Sequence, residues 1–364
     1  MPGPSSGTED INAKPSSAGG ISVQVVNPLE IPAWDTMVSE LPAATFFHSS
    51  AWASVLLGAY GYAPLYLIVR DSDRLLAALP IMEVKSWLTG NRGISLPFTD
   101  ECGAIGADMA PVAALFASLQ ALSKSKNWAY FECRGGAGLD PVGRSPALFV
   151  GHRLDLRPGP DVLFGGVSSA TQRAVRKAEQ SGLSVEFSRD LDTVGAFHDL
   201  LCKTRKRHGV PPQPFSFFEQ IHRHVLQSGK GWIAMARLGR VPVAGAVFFQ
   251  FGSTAVYKYG ASDDAYQHLR ANNLVMWQSI QRLSRDGFQV LDFGRTSSGN
   301  EGLRRFKLGW GSTERPIDYL RYDCRKESYV AIHDHASGWH NQVFRLLPGP
   351  VSRLIGTVLY KHAA

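Results

Sequence analysis

The segment FGRTSSGNEGLRRFKLGWG, Phe293 to Gly311, carries five glycines, four basic residues and one acid immediately after the apolar run VLD. Such a run reads as a buried strand, and glycine, hydroxyls and cations at its end mark a place where the backbone meets a ligand. Gly294 admits a substrate close to the main chain, and Arg295 presents a planar fork that grips a carboxylate or phosphate. In RRFKLGWG, Phe306 and Trp310 stand at i and i+4 and anchor the turn that presents Lys307. Taken alone, RRFK also reads as an exposed helical turn with those aromatics as its buried side.

Two more cationic groups lie in the second half of the chain. In VSSATQRAVRKAEQSGLSVEF, Ser168 or Ser169 caps a helix that Gly182 stops, and LSVEF opens the next strand. Arg173, Arg176 and Lys177 fall at i, i+3 and i+4 on that helix and share one face. Lys203, Arg205, Lys206 and Arg207 sit at a helix end broken by Gly209 and the prolines that follow. Either group alone is a solvated face. Together with Arg304, Arg305 and Lys307 they are expected to form one surface for phosphates or carboxylates.

These groups need a scaffold, and the chain repeats itself in building one. SLQALSKSKNWAYFECR (Ser118 to Arg134) and SIQRLSRDGFQVLDFGR (Ser279 to Arg295) align without a gap, with Ser, Gln, Leu, Ser and the last Arg in common. Upstream, LYLIVRDSDRLLAALPIMEV and WIAMARLGRVPVAGAVFFQF both read as strand, tight charged turn, strand, and STAVYKYGAS adds a further strand to the second copy. Two matches in the same order point to duplication of a unit made of a β-meander, a helix and a strand.

Composition bounds the rest. The 364 residues suit two fused half-domains, and 44% apolar content supplies real cores. A formal charge of +7 and a pI near 9.2 imply an anionic partner. The four cysteines stand apart with no CxxC pair, which fits a reducing cytosol better than a disulfide framework. Residues 1–20, rich in Ser, Gly and Pro, lack a signal-peptide pattern and read as a disordered tail. No run of 18 apolar residues provides a spanning helix, so the expected location is the cytoplasmic side of the membrane.

The chain resembles the Fem-type transferases and the related FemAB-like proteins that accompany exopolysaccharide and exosortase (PEP-CTERM) gene clusters, with a BioF2-like acetyltransferase domain, within the GNAT superfamily. The residues that carry the likeness are TQRAVRKAEQSGL, TRKRHGVPP with PFSFFEQI, GASDDAYQHLRANNLVMWQSI, and above all LDFGRTSSGNEGLRRFKLGWG. In the first half FFHSSAWASVLLGAYGY and SLPFTDECGAIG also match, so the likeness spans roughly Phe46 to Tyr322.

The resemblance implies an α+β fold of two tandem GNAT-like half-domains, each a mixed, mostly antiparallel sheet flanked by helices. The expected boundaries are a tail at 1–20, an N-terminal domain at 21–160, a C-terminal acetyltransferase-like domain at 161–325 and a helical extension at 326–364. It also implies transfer of an acyl or aminoacyl group to an amine of an exopolysaccharide or envelope precursor, from acyl-CoA or aminoacyl-tRNA. The matching lysine of Fem-type enzymes is linked to the donor or to the charge that develops during transfer, which assigns that role to Lys307, with Arg295 beside it. The substrate contacts are then Arg173, Arg176, Lys177, Arg207, Gly294, Arg304 and Trp310.

Acyl transfer to an amine needs a neutral nucleophile, oxyanion stabilisation and a hold on a large donor, but no covalent residue. The absence of a GxSxG elbow agrees with that. Asp100 is the favoured base, with Glu101 and Asp292 as alternatives. An RxxGxG loop is missing where a pyrophosphate would sit; DDAYQHLRANNLVMW stands there, with His268 and Arg270 near a helix starting at Asn272 or Asn273. IHRHV and IHDHASGWH lack the spacing of a metal site.

Past Pro350, Val351, Leu354, Ile355, Val358 and Leu359 line one helical face, which either docks on the domain or touches the inner leaflet. Two other functions stand against the enzyme. One is a non-catalytic module for an anionic glycan or lipid-linked sugar. The other is nucleic-acid binding, for which a DNA-reading motif and a stacking platform are missing; tRNA remains a partner only as a donor.

Overall fold

The computed structural model describes residues 21–135, 149–332 and 344–362. The tail expected at 1–20 and the histidines at 333, 335 and 340 lie outside them. The first half contains β1 (Val23–Val26), α1 (Trp34–Ser39), α2 (Ser50–Tyr60), β2 (Ala63–Pro64), β3 (Tyr66–Asp71), β4 (Arg74–Leu79), β5 (Met82–Val84), β6 (Arg92–Ile94), β7 (Ile105–Gly106), α3 (Met109–Ser125) and β8 (Tyr130–Arg134). There follow β9 (Phe149–Asp155), α4 (Pro160–Gly166), α5 (Ser169–Glu179), β10 (Leu183–Ser188), α6 (Leu191–His208), α7 (Phe215–Ile221), β11 (Gly231–Leu238), β12 (Val241–Phe251) and β13 (Thr254–Ser262). The chain closes with α8 (Ala271–Arg285), β14 (Val290–Ser297), α9 (Glu301–Leu308), β15 (Thr313–Ile317), β16 (Tyr319–Asp323), β17 (Ser328–Val330) and α10 (Gly349–Tyr360).

Local chemistry explains the helix ends that matter. Ser168 caps α5 by accepting the Thr171 amide, and Gly182, at φ +68°, takes the left-handed turn that releases the chain into β10. The side chain of Asn300 accepts the Leu303 amide and starts α9, the helix that carries Lys307. The duplication is visible in the topology. In each half a helix connects two parallel strands, α3 between β6 and β8 and α8 between β13 and β14. Both gapless sequence segments therefore end on equivalent strands.

Strand membership crosses the boundaries expected at 160/161 and 325/326. β9 lies before the first boundary, yet it pairs with β14 and β15 in a seven-stranded sheet ordered β10-β11-β12-β13-β14-β9-β15. β16 and β17, which straddle the second boundary, pair with β8 and complete a six-stranded sheet of the first half. Only Asp318 separates β15 from β16, so the chain passes from one sheet to the other within a residue. Strand pairing is non-local, and no pattern within β9 or β16 states which sheet will receive it.

An aromatic core joins the halves. Phe46 and Trp52 of the FFHSSAW segment meet Phe249 of β12 at ring distances of 4.5 and 5.6 Å, and Trp52 meets Phe217 of α7 edge-on. This core covers one face of the seven-stranded sheet together with α6, whereas α5 and α8 cover the other face.

Candidate active site

β13 and β14 run parallel, but they pair only where Thr254–Val256 face Val290–Asp292. Beyond that point the two strands share no ladder, although they continue to Ser262 and Ser297. The result is a wedge open at the strand ends, where the facing edges of β13 and β14 are not paired with each other. Two irregularities aim side chains into it. A bulge opposite Val247/Phe248 makes Lys258 the extra residue of β13. A second irregularity in β14 spans Asp292 to Arg295, with Gly294 at φ +69°.

Lys307 reaches this point from α9. Its Nζ donates to the carbonyl oxygens of Gly294 at 2.9 Å and Arg295 at 3.0 Å, and only 2% of the residue is exposed. An ammonium has three donors, so one is left for a bound group. Burial pulls the Lys307 pKa down to about 8, against the opposing pull of Asp100 and Asp292, while Lys258 and Arg295 push it lower still.

The first half supplies the opposing wall. Asp100 accepts a 3.2 Å hydrogen bond from Lys258 through Oδ2, and a Cβ at Gly294 would lie 2.7 Å from the same oxygen. Only glycine allows that approach of carboxylate to backbone. Lys258, with its side chain 5% exposed, sits over the rings of Phe47, Trp52 and Tyr259 at 5.1 to 5.9 Å, and burial lowers its pKa. Arg295 lies 4.3 Å over the Phe149 ring and donates to the Tyr319 hydroxyl at 3.0 Å; that hydroxyl in turn donates to the Asp100 carbonyl at 2.7 Å. Arg134, the last residue of the other repeat copy, also faces the Tyr319 ring, at 5.9 Å. The two repeat-ending arginines thus converge on one tyrosine between the halves.

Geometry also separates the three carboxylates. Asp292 is occupied on both oxygens, by the Gly294 amide and by Arg153. Glu101 is held in a fork by Arg315. Among the described residues Asp100 Oδ1 has no partner, and the side chain is 22% exposed, which makes it the carboxylate of the three with an oxygen left for a substrate proton.

Of the residues picked from sequence, the structure brings together Lys307, Arg295, Gly294 and Asp100. Arg207 lies elsewhere along the wedge, paired with Asp264, and lines two adjoining cavities. One, of about 230 Å³, runs between Gly260, Ala261, Tyr257, Met276 and Phe306, the neighbour of Lys307. The other, of about 150 Å³, opens at the start of α8 beside Arg270, Asn272 and Asn273. The remaining choices fall elsewhere. Arg304 is committed to a two-pronged pair with Glu314 at 2.9 and 2.8 Å, and His152 holds the same carboxylate at 3.0 Å. Those bonds, with Arg304 foremost, hold Glu314 down to about 2. Trp310 is a core residue, 1% exposed. Arg173, Arg176 and Lys177 are exposed on α5, on the face of the sheet opposite α6, so these cations and those of α6 form two surfaces rather than the single groove expected. Lys258 was missed. Its signal was a lysine inside the otherwise apolar strand AVYKYGAS, which is costly unless the charge is paired or used.

A scan against family models matches residues 167–314 to the acetyltransferase (GNAT) domain. The second half is a GNAT domain. No curated protein sequence matches the chain. Among solved structures, this chain is similar to FemX, with a TM-score of 0.65 at 15% identity, covering 83% of this chain and 97% of that one. It is similar as well to the C-terminal DUF2156 domain of a putative lysylphosphatidylglycerol synthetase from Agrobacterium fabrum, with a TM-score of 0.54 at 15% identity over 79% of this chain and 90% of that one. A tandem GNAT protein from the clavulanic acid biosynthesis pathway has a TM-score of 0.53 at 10% identity, covering 84% of this chain and 99% of that one. At these identities the likeness is one of fold, and that fold is FemAB-like with two GNAT halves. The GNAT domain makes the chain an acyltransferase. Among the described residues no group of three or more His, Cys, Asp or Glu is placed to hold a metal ion, and no helix is long and apolar enough to cross a membrane.

Proposed function

We propose that the tandem GNAT chain transfers an acyl or aminoacyl group to an amine of a cell-envelope or exopolysaccharide precursor, in the wedge between β13 and β14. The observation that carries this reading is Lys307, a buried ammonium with one donor to spare, set among main-chain carbonyls at the point where parallel strands part. A cation held there in advance stabilises the negative charge that grows on the carbonyl oxygen of the donor as the amine attacks.

The donor's acyl arm occupies the cavity lined by Gly260, Tyr257 and Phe306, and its phosphates lie at the start of α8 near Arg207 and Arg270. Acyl-CoA and aminoacyl-tRNA both place phosphate behind a reactive carbonyl. The acceptor enters from the first half. As the bond from nitrogen to the acyl carbon forms, Asp100 Oδ1 takes the proton that the amine sheds; the bond from the acyl carbon to the donor's sulfur or ribose oxygen breaks, and the leaving thiolate or alkoxide receives that proton. Arg295, braced by Phe149 and Tyr319, holds an acidic group of the acceptor.

The test is transfer of a labelled group from acyl-CoA and, separately, from charged tRNA onto amino-sugar and peptidyl precursors. Product that depends on Lys307 supports the enzyme. Thermal stabilisation by anionic saccharides with no product from either donor assigns the cleft to a binding module instead.

A further inference from the structure

The carboxy-terminal helix α10 lies on the body of the protein by an unexpected face. Ser352 and Gly356 point inward, and a Cβ at Gly356 would collide with the Pro212 carbonyl oxygen. Tyr360 donates to the Pro211 carbonyl, and the segment beyond is tied down where Arg92 and Thr89 donate to the His362 carbonyl at 2.6 and 3.0 Å. The helix is therefore fixed, and its small residues serve the packing. Three residues of its apolar stripe face out, Leu354 at 68% and Val358 at 55% exposure with Val351 beside them, while Ile355 and Leu359 are half-buried. At the end of the same helix Trp87 is 85% exposed and stands edge-on to the His362 ring.

We propose that this face seats on an anionic bilayer surface. A helix that buried its apolar stripe against the protein would need no partner; this one is pinned with three residues of that stripe in water, an arrangement that marks a contact site. The charges choose the partner. Lys361 directly follows the helix, Lys206 stands across a groove from α10, and among the described residues the acidic side chain bonded to the helix, Asp199, is already paired with Arg353. A second copy of the chain packed on the same face would set like charges against each other, whereas anionic headgroups complement them. An exposed tryptophan suits the headgroup level. The groove between α6 and α10, about 480 Å³, is apolar along Leu200, Pro212 and Val241 and cationic at its rim, a shape that accepts a lipid's acyl chain and phosphate together. This inference concerns where the chain works and is independent of the reaction assigned to the wedge.

Co-sedimentation with vesicles tests it, using the full chain and the double variant Leu354→Glu, Val358→Glu. Both side chains are exposed, so the variant is expected to keep the native far-ultraviolet dichroism and melting temperature. The native chain is expected to pellet with phosphatidylglycerol-containing vesicles, less so as salt is raised, and to stay in solution with pure phosphatidylcholine. The variant is expected to bind about tenfold or more weakly. Failure of the native chain to pellet, or equal pelleting of the variant, overturns the proposal. So does a native dimer in analytical ultracentrifugation that the variant dissolves while neither form binds vesicles, because the stripe is then a self-association surface.

Discussion

Lys307 carries its charge where little water reaches it, which suits the oxyanion-stabilising role proposed for it. A buried cation stabilises a growing oxyanion more strongly than an exposed one, because the effective dielectric is lower. Replacement by Met keeps most of the volume and removes the charge. Lys307→Met is expected to lower kcat by about 10²–10³-fold, with an unchanged circular dichroism spectrum. Native turnover in that variant would remove the residue from the mechanism. The pKa of about 8 has a direction of its own. In the proposed role the active form is protonated, so activity is expected below that value and is expected to be lost as pH rises through it. The profile of kcat/KM against pH is expected to fall near pH 8. Asp292 raises the Lys307 pKa, so Asp292→Asn is expected to move that fall to lower pH. A fall unmoved by the substitution would mean that another group titrates. The same depression bears on stability: from about 8 up to the lysine pKa of the unfolded chain, the native state binds fewer protons, and this group's contribution to stability rises with pH across that window.

Two departures from regular strand geometry build the site. The bulge in β13 turns Lys258 toward Asp100, and the irregular stretch of β14 frees the Gly294 and Arg295 carbonyls for Lys307. Gly294 meets two demands at once, a left-handed φ and an open side facing the Asp100 carboxylate. Gly294→Ala is expected to cost about 1–2 kcal/mol of stability and to displace Asp100 from Lys258. Chemical denaturation measures the first effect. The second appears as a loss of turnover larger than the stability change explains, and native activity in this variant would show that the Asp100 position is not needed. α9 has a simpler task. Its Asn300 cap and the buried Trp310 behind it hold the lysine at a fixed height above the strand.

Exchange of terminal strands makes the two halves interdependent. β9 precedes the second half in sequence and completes its sheet, while β16 and β17 return to complete the first. The core shared through Phe46, Trp52, Phe217 and Phe249 binds them further. Residues 21–160 and 161–364 made as separate chains are each expected to lack cooperative thermal unfolding, and to regain it when mixed if the missing strands can pair in trans. Sharp melting of either piece alone would show that the exchanged strands are dispensable. The arrangement also explains why the site holds residues of both halves: Asp100 and Arg134 on one side, Lys258, Gly294, Arg295 and Lys307 on the other, with Tyr319 at the seam.

Much of this was legible in the amino-acid sequence because the physics involved is local. Glycine and cations after VLD, a serine cap before α5 and the repeated helix-turn-strand pattern each depend on neighbours a few residues away. They singled out Lys307, Arg295 and Gly294, which the fold brings together, and pointed to two similar halves. Other features depend on residues far apart in the chain. Pairing between residues as far apart as Phe149 and Ser297 set β9 beside β14, and packing on opposite sheet faces divided the cations of α5 from those of α6. A bulge set by register with β12 turned Lys258 inward, and close packing at Gly356 turned Val351, Leu354 and Val358 of α10 outward. Periodicity states that a helix has two faces; only the surface it meets decides which of them is covered.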